Sequence, residues 1–174
     1  MAASIHQINA SRGGVPKRPL PQAEVNDRGI SVDNQRDKMH HGSPDQALCL
    51  YALELIEELQ EAGHPIFPGS TGENITTSGL DWKKVRPGAF LKLGDDVVIE
   101  LTEYATPCLT IAGSFADGDF NRINHLAGGA SRIYARIIGG GIISPGDAIE
   151  LVDEETADRV ARAKIKSFRW PQDF

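Results

Sequence analysis

Two cysteines stand in the chain, and one of them, Cys108, is placed where sulfur chemistry is possible. Pro107-Cys108 follows closely on the strand pattern of Val97 to Tyr104. A thiolate at a strand end can act as a nucleophile, a sulfur carrier or a soft metal ligand. The alternative is a small buried hydrophobe. The run Ser11-Arg12-Gly13-Gly14-Val15-Pro16-Lys17 is a second candidate. Backbone N–H groups of a Gly-Gly turn, beside Arg12, Lys17 and Arg18, can form an anion-binding concavity; otherwise the run is a solvated loop. It lacks the second glycine and the Lys-Ser/Thr spacing of a P-loop.

His41-Gly42 precedes Ser43, where the free N–H groups of a helix start could receive an anion. His40 and His41 have no third ligand at zinc spacing, so the pair is a weak metal signal. Pro68-Gly69-Ser70-Thr71-Gly72-Glu73-Asn74 is a tight polar turn. Its glycines bring backbone near a ligand and Asn74 offers a directed amide, or it is an ordinary structural turn. No Ser/His/Asp order and no HExxH motif stands out.

Short strands must position these groups. The pattern predicts strands over Ala3 to Ala10, Ala23 to Arg28, Ile30 to Val32, Ala89 to Leu93, Val97 to Tyr104, Leu109 to Ala112, Arg132 to Ile138 and Ala148 to Val152. Gly94-Asp95-Asp96 marks a hairpin, and Gly139-Gly140-Gly141 reads as a flexible turn. One main helix is expected from Ser43, with Pro44 at N1, Gln46 at N3, and Leu48, Tyr51, Leu55, Leu59 and Ala62 along one apolar face. Gly63 and Pro65 end it. Cys49 lies beside that stripe as a core thiol. Asp153 caps a C-terminal helix with Ala157, Val160, Ala161, Ile165 and Phe168 on one face, and Arg159, Arg162, Lys166 and Arg169 on the other. The basic face is solvated or recruits an anionic partner. Strands separated by Gly/Pro turns, with few helices, predict a mainly β fold closed into a barrel.

Composition narrows the classes. With 174 residues, 40% hydrophobic and 24% charged, the chain reads as one globular domain, 1–174. A net charge of −6 gives no footprint for nucleic acid or an anionic membrane. Two cysteines exclude a disulfide scaffold. Met1 to Ala10 has neither the basic nor the apolar region of a signal peptide, and Ile133 to Ile143 is too short and too interrupted to span a bilayer. The expectation is a cytoplasmic protein with reduced thiols.

Taken in order, Gly13-Gly14-Val15-Pro16-Lys17, His41-Gly42-Ser43-Pro44-Asp45-Gln46-Ala47, Pro68-Gly69-Ser70-Thr71-Gly72-Glu73-Asn74-Ile75, Pro107-Cys108 and Gly146-Asp147 resemble the MOSC domain. That domain is named for the C-terminal domain of molybdenum cofactor sulfurases. The resemblance covers roughly Ser11 to Val152, leaving 153–174 as C-terminal helix and tail. It implies a stand-alone bacterial-type member without a pyridoxal phosphate domain, a barrel like that of pyruvate kinase, and a pocket for the molybdenum cofactor (molybdopterin). It also implies that Cys108 is the metal ligand or sulfur carrier. Ser11, Arg12, Gly13, Gly14, Lys17, His41, Ser70, Thr71 and Asn74 would hold the cofactor. The amidoxime-reducing relatives carry a different basic run before Gly-Val-Pro, which leaves the phosphate ligands open.

Three functions follow from the resemblance. The leading one is an oxidoreductase that reduces small N-hydroxylated substrates, with electrons from a separate reductase. The second is a non-enzymatic persulfide carrier fed by a sulfur donor. The third is a binding module in which Cys108 is structural.

Overall fold

Apolar residues at every second position of Val97–Tyr104 bury Val97, Ile99 and Leu101 in one cluster, and this strand is the spine of the fold. The computed structural model describes residues 2–34 and 43–167. Its first strands are β1 (Ser4–Ala10), β2 (Arg18–Leu20), β3 (Ala23–Asn26), β4 (Gly29–Ile30), β5 (Leu48–Ala52) and β6 (Ile75–Ser78). After them come β7 (Phe90–Leu93), β8 (Val97–Tyr104), β9 (Ile133–Gly139), β10 (Gly141–Ile143) and β11 (Ile149–Val152). Two α-helices are described, α1 (Leu53–Glu61) and α2 (Glu154–Ser167).

Eight strands make one sheet in the order β11-β7-β8-β9-β5-β6-β1-β2, and β10-β3-β4 make a second. Every pairing is antiparallel except β5 with β6, which α1 connects as a crossover. The hairpin of β7 and β8 forms where expected, Leu93 opposite Val97 across Gly94-Asp95-Asp96. Ile5, Ile8, Leu48, Leu50, Ile75, Leu91, Leu93, Ile99, Leu101, Ile133 and Ala135 fill the main core on one face of the large sheet. On the other face Tyr51, Ile56, Ile66, Ile111, Phe115 and Ile123 form a second, smaller cluster.

The expected closed barrel is not formed. The large sheet is open, with β11 and β2 at its edges. The three-residue β2 occupies the outer edge of β1 at Ile8 to Ala10. The start of β1 meets the far end of the sheet only in an isolated bridge, Ser4 to Ala148, flanked by backbone bonds of Ile5 to Gly146 and Asp147 and of Ala3 to Ile149, and no ladder joins β1 to β11. The fold is mainly β with helices, built on a mixed open sheet.

The main helix also starts later than its spacing predicts. Pro44–Gln46 is a single 3-10 turn whose Ser43 side chain caps nothing, and Leu48–Ala52 is a strand buried along its whole length. A strand covered on both faces is apolar throughout, so Leu48 and Tyr51 match helical spacing without belonging to a helix. The C-terminal end falls where expected, with Gly63 N–H donating to Gln60 O.

Leu109–Ser114, expected to begin as a strand, is a 3-10 helix. Gly139 to Gly141, expected as a flexible turn, runs from β9 directly into β10. A Cβ on Gly140 would lie 2.5 Å from Val25 O, so the second sheet packs closely there. Asp153 caps α2 as expected, its Oδ1 accepting from Thr156 N at 2.8 Å. Phe168 and Arg169 of the expected helix faces lie outside the described residues. No helix among the described residues is long and apolar enough to cross a membrane.

Candidate functional site

Asn74 is the joint of the site. It stands just before β6, where the parallel pair begins, and ties three segments together. Its backbone N–H donates to Cys49 O at 2.7 Å, and its backbone O accepts from Asn9 N at 2.7 Å. Its side-chain Oδ1 accepts from Cys49 N at 3.1 Å. The same side chain's Nδ2 donates to Asp33 Oδ2 at 2.8 Å and to Asn9 O at 3.3 Å. A buried amide with all these partners holds β1, β5 and the segment after β4 in one arrangement.

Asp33 gathers the Ser11 to Lys17 loop to that joint. Its Oδ1 accepts from Ser11 N at 2.8 Å, and its Oδ2 lies 2.6 Å from Lys17 Nζ. Within the loop, Ser11 Oγ donates to Gly14 O at 2.8 Å and accepts from Gly13 N at 3.1 Å. Arg12 is exposed. Lys17 is therefore a buried, neutralised cation, and Arg12 and Arg18 carry the loop's solvent-facing charge.

Gly69 brings the Pro68 to Asn74 turn against this loop, its O accepting from Lys17 N at 2.9 Å. At φ +90, a Cβ there would lie 2.4 Å from Lys17 O, so the approach requires glycine. Glu73, fully buried, organises the turn. Its carboxylate accepts from Gly69 N at 2.6 Å, Thr71 Oγ1 at 2.8 Å and Thr76 Oγ1 at 3.2 Å. Ser70 Oγ accepts from Phe67 N at 3.0 Å. The hydroxyls of Ser70 and Thr71 are thus spent on shaping the turn.

Arg132, just before β9, reaches the same turn. Its Nη1 donates to Thr71 O, while its Nε is buried with no hydrogen-bond partner. Tyr134, two residues on, shares its face of the strand and stands opposite Cys49 in the β5–β9 ladder. Burial pushes the Tyr134 hydroxyl up, and the Cys49 thiol opposite it adds to that shift.

The two cysteines differ sharply. Cys49 is buried in β5, and burial pushes its thiol up from 9.0 to about 11, with the nearby Arg132 guanidinium opposing the shift. It is an inert thiol at neutral pH. Cys108 is exposed, in extended backbone at φ −139 and ψ 173, at the start of the Leu109–Ser114 3-10 helix. That helix is held to the turn by Ser114 Oγ donating to Ser70 O at 3.2 Å. Beside it, Tyr104, Ala105, Thr106, Asn124, His125 and Leu126 line a cleft of about 190 Å³, in which the Tyr104 and His125 rings stack at 3.9 Å.

The structure thus brings Ser11, Gly13, Gly14, Lys17, Ser70, Thr71 and Asn74 together, with Cys108 on the adjoining loop. His41 lies outside the described residues. Sequence reasoning missed Asn9, Asp33, Arg132 and Tyr134 and gave Glu73 no role of its own. A polar Asn9 within a buried strand was the one available signal. Among the described residues no group of three or more His, Cys, Asp or Glu side chains could hold a metal ion.

A family model described as the MOSC domain matches residues 37–150. The chain is 30% identical over 141 residues to the Uncharacterized protein YflK of Bacillus subtilis (strain 168), covering 80% of this chain and 63% of that one. It is 28% identical over 149 residues to the Protein YiiM of Escherichia coli (strain K12), covering 83% of this chain and 66% of that one. The chain thus spans just under two thirds of the length of these curated relatives. The crystal structure of YiiM from Geobacillus stearothermophilus superposes with a TM-score of 0.69 at 24% identity, over 90% of this chain and 78% of that one. The YuaD protein from Bacillus subtilis superposes with a TM-score of 0.71 at 15% identity, over 87% of this chain and 96% of that one. At these identities the superpositions show a shared fold.

Proposed function

Because the chain belongs to the MOSC domain family, we propose that it binds the molybdenum cofactor and reduces N-hydroxylated small molecules with electrons from a separate donor. The observation that carries this reading is the contrast between an exposed Cys108 on a loop beside the site and a Cys49 sealed in the sheet. Molybdenum is thiophilic, and an accessible sulfur suits it. An orphaned buried guanidinium nitrogen in the same neighbourhood fits a ligand that also carries an anion.

When bound, the cofactor would supply two-electron chemistry at the metal. The balance is R–NHOH plus two electrons and two protons giving R–NH2 and water, with the donor oxidised. This chain's residues would do the rest. Cys108 would hold the metal through its thiolate. Ser11, Arg12, Gly13, Gly14 and Lys17 form the loop offered to the cofactor's polar end. Ser70, Thr71 and Asn74 hold the turn and the joint against which it would lie.

A second reading is favoured by the same exposed, lone thiol: Cys108 as a persulfide carrier, receiving sulfur from a donor protein and passing it to a metal–sulfur centre. The thiolate accepts a sulfane sulfur from a donor persulfide, which leaves as a thiolate.

The test is purification from a host that makes the cofactor, then metal analysis and an assay with an artificial electron donor and a hydroxylamine compound. Molybdenum in the wild type, lost together with turnover in Cys108→Ser, supports the first reading. A metal-free chain that loads a persulfide on Cys108 moves the protein to the second.

A further inference from the structure

Of the charges gathered beneath the Pro68 to Asn74 turn, Glu73 and Arg132 have no ion pair among the described residues, and only Arg132 is also short of a hydrogen bond. Lys17 is paired with Asp33 at 2.6 Å. Glu73 is satisfied by Gly69 N, Thr71 Oγ1 and Thr76 Oγ1. Arg132 is 7% exposed and gives its Nη1 to Thr71 O, but its Nε has no partner. No carboxylate among the described residues forms an ion pair with it. A buried cation without an anion is costly and rarely kept unless something completes it.

We propose that Arg132 is the anchor for a phosphoryl group. The inference rests on the reading that this site takes a phosphorylated ligand. The Thr71 carbonyl fixes the guanidinium plane through Nη1. The opposite edge carries the unpartnered Nε beside Nη2, and such an edge can present two parallel N–H donors, the fork that matches two oxygens of one phosphoryl group. A lysine would offer a point charge with no such match. Placement agrees: Arg132 is bonded to Thr71 O, and the 3-10 helix that begins at Cys108 is held to the same turn by Ser114 Oγ donating to Ser70 O. A ligand held at Arg132 by its phosphoryl end would extend towards the exposed thiol. The role differs from that of the Ser11 to Lys17 loop, whose buried cation is already neutralised.

The arginine Nε–H signals of the chain, followed by NMR during titration with inorganic phosphate, test this. The expected result is a saturable shift of the Arg132 Nε–H, and an affinity for phosphate lowered about tenfold in Arg132→Lys. Arg86→Lys, exposed before β7 and outside the site, should leave the titration unchanged. If the phosphoryl group belongs to a bound cofactor, the cofactor-loaded chain shows the Arg132 signal already shifted and insensitive to phosphate. If free phosphate is the natural ligand, both forms respond. A silent Arg132 Nε–H in the wild type overturns the proposal, whether or not Arg132→Lys folds. Molybdenum retained by a chain with that silent signal would leave the cofactor reading intact. Saturable phosphate binding by a chain that never retains molybdenum would keep the anchor and end that reading.

Discussion

Lys17 and Asp33 meet at 2.6 Å with side-chain exposures of only 10% and 6%, and Asn74 Nδ2 shares the same carboxylate oxygen. The lysine of the glycine-rich loop is therefore a structural cation before it is anything else. Lys17→Met should destabilise the fold by about 3 kcal/mol, because it strands a buried carboxylate. Denaturant titration of Lys17→Met, Asp33→Asn and the double variant checks this, with the double variant well short of the sum of the singles. Additive losses would mean that the pair is not coupled.

Asn74→Ala removes the partner of Cys49 N, Asp33 Oδ2 and Asn9 O at once. A loss of roughly 2–4 kcal/mol is expected, since a buried amide N–H is left without an acceptor. Asn74→Asp should be worse than Ala at neutral pH, where it sets a second carboxylate beside Asp33. Its deficit should shrink in acid, as the added carboxyl takes up a proton. Stability measured across pH distinguishes the two variants.

The thiols should separate by reactivity. Alkylation of the folded chain near pH 8 should modify Cys108 alone, and both cysteines only in denaturant, as read by mass spectrometry. The buried Cys49 thiol, held near 11 against an ordinary 9.0, also links folding to alkaline pH. Below 9 the thiol is protonated in both states and contributes no pH dependence. Between 9 and about 11 the unfolded chain releases the proton first, so stability falls as pH rises, by roughly 2–3 kcal/mol over that window. Cys49→Ala should remove that part of the alkaline slope.

Gly69→Ala should be among the most damaging single-methyl changes in the chain. Its Cβ would meet Lys17 O at 2.4 Å, from a backbone at φ +90. A loss of several kcal/mol, about 3 or more, is expected from strain and the collision together. Gly63→Ala, also at positive φ but with nothing within 4 Å, should cost less. Thermal unfolding of the two variants side by side makes the comparison.

The hairpin of Phe90–Leu93 and Val97–Tyr104 was legible because a period of two around Gly94 has one ready interpretation. Leu48 to Ala52 was not, because a strand apolar on both faces shows no alternation, and its leucines continue the stripe of the true helix. Arg18-Pro19-Leu20, which pairs along Ile8 to Ala10 and ends the sheet there, was not legible either, since three residues carry no period of their own. Within the site, the motif residues Ser70, Thr71 and Asn74 were visible as an unusual polar turn. Asp33 and Arg132 were not, since an aspartate in a loop and an arginine before a strand look alike whether buried or solvated. Burial is decided by the parts of the chain that cover them.

The bonds that build the joint span the chain: Asn74 to Asn9 is 65 residues, Asn74 to Asp33 is 41, and Arg132 to Thr71 is 61. Loops of this length must close before any of these contacts repays its entropy. During synthesis the first half of the site would thus leave the ribosome long before Arg132 does. Until then the Glu73 carboxylate and the Cys49 thiol would sit in an unfinished sheet with no β9 to cover them. A truncated chain ending before β9 should therefore expose Cys49 to alkylation, as a chaperone or a protease would also meet it.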